Sequence, residues 1–146
     1  MVDPRAHAEM YQRVVQDELG LIATIDEDND VRFKHPDMGS FFFSLDAEHD
    51  PEFLMLVYGA FFDAKQGVSR EELRRLCISV NAQCKAAKLS VRDNEDGDVV
   101  ATIEMFVAGV DQAPDEAHLR AIMRRVLSSL RSAVDRFAEQ VKALQA

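Results

Sequence analysis

Apolar positions recur along the chain with two different periods, and the changes between them mark the elements. Met10, Val14 and Leu19, with Tyr11 and Val15 beside them, follow a helical spacing. Asp3 is placed to cap that helix, Pro4 suits its first turn, and Gly20 suits its end. The period then drops to two. Leu21, Ala23 and Ile25 alternate with Ile22 and Thr24; past an acidic run, Val31 and Phe33 alternate with Arg32 and Lys34. This predicts a β-hairpin. "HPDMGS" interrupts the chain with Pro36 and Gly39, and "SFFFSL" then reads as a third strand. After the acidic loop "DAEHDPE", the run "FLMLVYGAFF" is apolar on both sides, with Phe53, Met55, Val57 and Phe61 on one and Leu54, Leu56, Tyr58 and Phe62 on the other. A buried helix can carry such a run. Its aromatic and β-branched content, its short length and Gly59 predict a fourth strand.

Helical spacing returns after Ser69, which with Glu72 fits a capping box. Leu73, Leu76, Cys77, Val80 and Cys84 form the apolar stripe of a helix expected to run to about residue 87. "KLSVRD" and "DVVATIEMFVA" then predict a second hairpin around Asn94 to Gly97. In its second strand Val99, Ala101, Ile103, Met105 and Val107 share one side, and Val100, Thr102, Glu104 and Phe106 the other. A long amphipathic helix closes the chain from Pro114 to about Leu144, with Leu119, Ile122, Val126, Leu130, Val134, Phe137, Val141 and Leu144 as its stripe. The order α-β-β-β-β-α-β-β-α predicts an α+β fold, an antiparallel sheet packed with helices, in a single domain over residues 1–146.

Composition narrows what such a domain does. A formal net charge of −9 opposes general binding to nucleic acid or to an anionic membrane, since both require a dominant positive field. "MVDPRAHAEM" lacks the apolar core of a secretory signal, and a cytoplasmic setting is expected. Cys77 and Cys84 stand seven apart on the predicted helix, about 10 Å, which is beyond disulfide reach and fits two small apolar side chains.

Two acidic runs raise the question of metal. "IDEDNDVRF" spaces Asp26, Asp28 and Asp30 as a calcium loop begins, but the sixth position from Asp26 is Val31 where the sharp turn needs glycine, and the flanks alternate as strands do. "RDNEDGDVV" carries Asp96-Gly97, a hairpin-turn signal. Both are expected to be hairpin tips. His7, His35, His49 and His118 show no metal-ligand spacing, and no nucleophile elbow or phosphate loop is present. Glu104 is the one candidate for a perturbed carboxylate, and an outer position on the sheet is expected for it. No catalytic residue, metal or organic cofactor is assigned.

Charge and aromatics point instead to contacts. The acids concentrate in residues 26–30, 46–52 and 93–98, while the second and third helices carry most of the basic residues, including Arg70, Arg74, Arg75, Arg120, Arg124 and Arg125. These arginines form ordinary solvated faces, or dock an acidic partner or a neighbouring subunit. Seven of the nine phenylalanines lie between Phe33 and Phe62. A sheet covered on one face needs apolar residues only at alternate positions, so this density calls for cover on the second face. A helix of the same chain, a second subunit or a peptide would supply it.

The segments "IDEDNDVRFKH", "SFFFSL", "EFLMLVYGAFF", "EELRRLCISVNAQCKAAKLSV" and "DNEDGDVVATIEM", with the closing helix, together resemble the YbjN family, described as bacterial sensory transduction regulators with a type III secretion chaperone-like fold. Asn81 stands where that family often has asparagine. The resemblance implies a non-enzymatic protein-interaction module, chaperone-like or regulatory, commonly a homodimer, with no cofactor. By the same analogy an apolar sheet surface binds a protein or extended peptide, with Phe42, Leu54, Leu56, Tyr58 and Phe62 as candidates on the outer face. Leu73, Leu76 and Val80 are the candidate dimer contacts. The alternative is a small-ligand sensor or enzyme with a pocket between sheet and helices, with Glu104 as its candidate residue.

Overall fold

Residues 1–146 are described by a computed structural model, in which local capping acts much as the sequence predicts. The Asp3 carboxylate accepts from the Ala6 N–H at 2.8 Å and starts α1 (Pro4–Leu19), and Gly20 ends it in the left-handed region at φ 66°. The chain continues through β1 (Ala23–Ile25), β2 (Val31–His35), β3 (Gly39–Phe43) and β4 (Phe53–Phe62). A 3-10 turn (Ala64–Gln66) leads to α2 (Arg70–Gln83), whose first turn is capped by the Ser69 hydroxyl accepting from the Glu72 N–H at 3.2 Å. β5 (Ala87–Val91), β6 (Val99–Phe106) and α3 (Glu116–Gln145) complete the order. The fold is α+β, as the periodicities predict.

The six strands form one antiparallel sheet in the order β1-β2-β3-β4-β6-β5. The second hairpin therefore enters with β6 against β4, and β5 becomes an edge opposite β1. All three helices pack on the same face: α1 on β1 and β2, α2 on β5, and α3 on β5 and β6 between the other two helices. Tyr11, Phe41, Phe43, Leu54, Leu56, Leu73, Ile103, Leu119, Leu130 and Phe137 fill the space between the two layers. No helix in the chain is long and apolar enough to cross a membrane.

α2 is shorter than its pattern suggested. It stops at Gln83 because Ala86 turns to φ 60° and Ala87 already pairs with Ile103 in the sheet. "QCKAAKL" contains neither glycine nor proline, so nothing local announces the break. What imposes it is tertiary: Leu89 must lie beside Asn81, as described below.

The acidic runs are hairpin tips with internal bonding. Asp26 accepts from the N–H groups of Asp28 (2.9 Å) and Asp30 (3.0 Å) and from Arg32 Nε (2.8 Å), while Asp30 accepts from the Leu45 N–H at 2.9 Å. At the other tip, Arg70 donates to the carbonyls of Asn94 and Glu95, and Lys65 lies 2.7 Å from Asp96. No three His, Cys, Asp or Glu side chains are grouped to hold a metal ion.

Two buried groups give tests of the core. His7 is 3% exposed in α1, edge-on to Tyr11, and its Nδ1 has no hydrogen-bond partner. Burial holds its pKa below the usual imidazole value of 6.5. The unfolded chain takes up a proton that the folded chain refuses. Its contribution to stability is therefore full above about pH 6.5 and declines as pH falls toward the lowered folded value. Thermal melts between about pH 7.5 and pH 5 should fall less steeply for His7→Leu than for the natural chain; equal slopes would show that His7 protonates as readily folded as unfolded. The cysteines are both free, with Cys77 buried and Cys84 half-buried. Burial pushes the Cys77 thiol up to about 11. A thiol reagent at neutral pH should modify Cys84 alone, with Cys77 reacting only after unfolding; rapid modification of both would contradict the packing of α2.

Candidate interaction surface

The strands alternate between two environments, and register decides which residue meets which. Phe33, Phe41, Tyr58, Ala101 and Leu89 are directly opposed across β2, β3, β4, β6 and β5, and all point to the helices. One residue along, Arg32, Phe42, Val57, Thr102 and Lys88 form the matching row on the other side. No element of the chain covers that side. At its centre lies a shallow depression of about 330 Å³ with half-buried Phe42 and Met55 and buried Val57 and Val100 on its floor, and with Ser44, Ser90, Thr102, Lys88, Arg92 and Glu104 around them. Phe53 and Phe106 pack edge to face at 5.4 Å at one end of β4 and β6, and Phe106 is 73% exposed.

Polar groups frame this apolar centre in fixed geometry. The Arg32 guanidinium sits 4.9 Å over the Phe42 ring while bonding Asp26, so the cation stacks on the aromatic face it partly covers. Glu104 lies 2.6 Å from Lys88 Nζ and accepts from the Thr102 hydroxyl at 2.6 Å. Partial burial opposes its charge, but the bonds from Lys88 and Thr102 outweigh it and hold Glu104 below the usual carboxylate range. It is an ion-paired carboxylate on the outer face, with no second acid paired to it for acid–base chemistry.

The two edges of the sheet are closed by side-chain amides. Asn81, on α2, donates from Nδ2 to the Leu89 carbonyl at 2.9 Å and accepts at Oδ1 from the Leu89 N–H at 2.7 Å. It takes the place of a neighbouring strand at the middle of β5. On β1, Gln12 donates to the Ala23 carbonyl at 2.8 Å, and Gln16 accepts from the Ala23 N–H at 3.3 Å. Exposed edges invite pairing with other chains, and these three amides oppose that at the middle of β5 and at the start of the short β1.

The sequence-predicted candidates divide accordingly. Phe42 lies on the open face, half-buried. Leu54 and Leu56 do not: both are 0% exposed, packed under the helices. Tyr58 is also on the helix side, stacked on Phe41 at 4.6 Å with its hydroxyl donating to the Met38 carbonyl, and Phe62 packs on Phe137 beyond a bulge between Tyr58 and Phe62. The open-face residues of β4 are Phe53, Met55 and Val57. Hydropathy could not choose between two apolar sides, but pairing could. Directly opposed residues share a face, and Met55 opposes Glu104 whereas Leu56 opposes Ile103.

The α2 candidates are corrected in the same way. Leu73 and Val80 are 0% exposed within the core, and Leu76 is partly buried against it. An amphipathic helix buries its apolar stripe on its own sheet first, and the large apolar side chain it leaves outside is Ile78. Several arginines proposed for an acidic partner serve the fold: Arg120 bonds Asp17 and Glu116, and Arg124 donates to the Glu18 carbonyl, tying α3 to α1.

No protein-family model matches the chain, and no curated protein matches it in sequence. Its structure is similar to the crystal structure of YbjN from E. coli, described as a candidate transcription regulator, with a TM-score of 0.65 over 91% of this chain and 92% of that one. The chain has the YbjN fold. Sequence identity to YbjN is 13%, so the likeness is one of architecture. The resemblance to YbjN drawn from the segment pattern is thus met at the level of fold.

Proposed function

We propose that this chain is a non-enzymatic interaction module that binds a protein on the open face of its sheet, in a chaperone-like or regulatory role. The observation that carries the reading is the apolar centre of the face without helices, where Phe42 and Met55 are half-buried above the buried Val57 and Val100, and Phe106 stands exposed at one end. Apolar surface of this kind, rimmed by charge, marks contact sites in soluble proteins. The description of YbjN as a candidate regulator is in keeping with a binding role. Two free cysteines fit a reducing, cytoplasmic setting.

The test is comparative affinity purification from the native cell. Phe42→Ser with Met55→Ser should lose proteins that the natural chain retains, while Ile78→Ser on α2 keeps them, both variants remaining folded by circular dichroism. Retention of every partner by the Phe42/Met55 variant would move the binding surface elsewhere.

A further inference from the structure

We infer that the segment seated on the open face is an acidic amphipathic helix of another protein; this rests on the reading of that face as the binding surface. Two independent features specify the occupant.

The first is the state of the edges. An extended segment gains its affinity from main-chain pairing at an open sheet edge. Here Leu89 at the middle of β5 and Ala23 at the start of the three-residue β1 already have their outward N–H and C=O groups bonded to Asn81 and to Gln12 and Gln16. A segment must therefore lie across the face, where its backbone loses water without gaining a strand partner. Only a helix satisfies its own backbone there. A helix on the second face also completes the layered packing that sheets commonly adopt.

The second feature is charge. The chain carries a net −9, yet the open face reverses that sign. Its strand positions hold Arg32, Lys34 and Lys88, Arg92 follows β5 at the rim, and two carboxylates, Glu104 and Asp26, stand among them, so the cations outnumber the acids. Arg32 and Lys88 have carboxylate partners, whereas Lys34 and Arg92 form no ion pair. A helix with an apolar stripe over Phe42 and Met55 and acidic flanks would meet these cations on both sides. A second copy laid face to face would set the same cations against each other and join two chains of net −9.

Three synthetic peptides of about 20 residues test this: one with Leu and Ala on one helical face and Glu on the other, a counterpart with Lys for Glu, and a scrambled Glu version without an apolar face. Nuclear magnetic resonance titration at low salt should show the Glu helix shifting amides of β3, β4 and β6 around Phe42 and Val57, and binding at least about tenfold more tightly than either control. Lys34→Glu with Arg92→Glu should weaken it about tenfold while leaving the melting temperature within a few degrees. If the Lys or scrambled peptide binds the same face equally well, or the double variant binds unchanged, the acidic helix is overturned and the open-face reading remains. A sedimentation result in which two copies cover this face overturns the inference as well. If no peptide perturbs the face, the inference falls on its own, since the comparative purification tests the underlying reading separately.

Discussion

Leu56→Ala is expected to destabilise the fold by about 2–5 kcal/mol, whereas Met55→Ala, one residue away, should cost less than about 1 kcal/mol. Leu56 is 0% exposed and opposes Phe43 and Ile103, both buried, so truncation leaves a cavity that the sheet and helices cannot readily close. Met55 opposes Glu104 on the open face, where water or a neighbouring side chain fills the gap. Urea unfolding of the two variants checks the pair, with the midpoint moving at nearly constant slope. Equal losses, or a larger loss at Met55, would place the other side of β4 under the helices. The same comparison separates a residue that builds the fold from one available to a partner.

The second large effect is at Asn81. Asn81→Ala removes two bonds at once, to the N–H and the C=O of Leu89, and leaves both groups of an edge strand without their partner. A loss of about 1–3 kcal/mol is expected, less than for a fully buried pair because water reaches the edge. Asn81→Asp keeps the acceptor for the Leu89 N–H but cannot donate to the Leu89 carbonyl, and should fall between the natural chain and the alanine variant. Opening the edge should also promote association through β5, visible in sedimentation as a concentration-dependent dimer of the alanine variant. An Asn81→Ala chain that is as stable and as monodisperse as the natural one would show that the amide does not seal this edge.

The elements were legible because each is signalled locally. Asp3, Pro4 and Gly20 bracket α1, Ser69 opens α2, and the alternation through Val31 to Phe33 gives β2 its faces. The orientation of β4 was not legible from its own residues, since both of its sides are apolar and either could face the helices. The information sits in β6, where the polar positions Thr102 and Glu104 identify the open face once register is known. The end of α2 was hidden for a related reason: the break follows from Asn81 reaching Leu89, a contact between residues eight apart that no capping signal announces. Asn81 itself could be noticed in the sequence as a polar residue beside the apolar stripe, but its role required the edge strand to be in place. The phenylalanine cluster overstated the need for cover on a second face: of the seven between Phe33 and Phe62, Phe33, Phe41, Phe43, Phe61 and Phe62 pack on the helix side, and Phe42 and Phe53 lie on the open one.

The central claim is that this open face is where the protein meets its partner, and site-specific photo-crosslinking in the native cell tests it most directly. A photoreactive phenylalanine analogue placed at Phe42 and, separately, at Phe106 should give covalent adducts with another protein, while the same analogue at Ile78 on α2 gives none. Adducts from Ile78 with none from Phe42 or Phe106 would contradict the account and shift the functional surface to the helices.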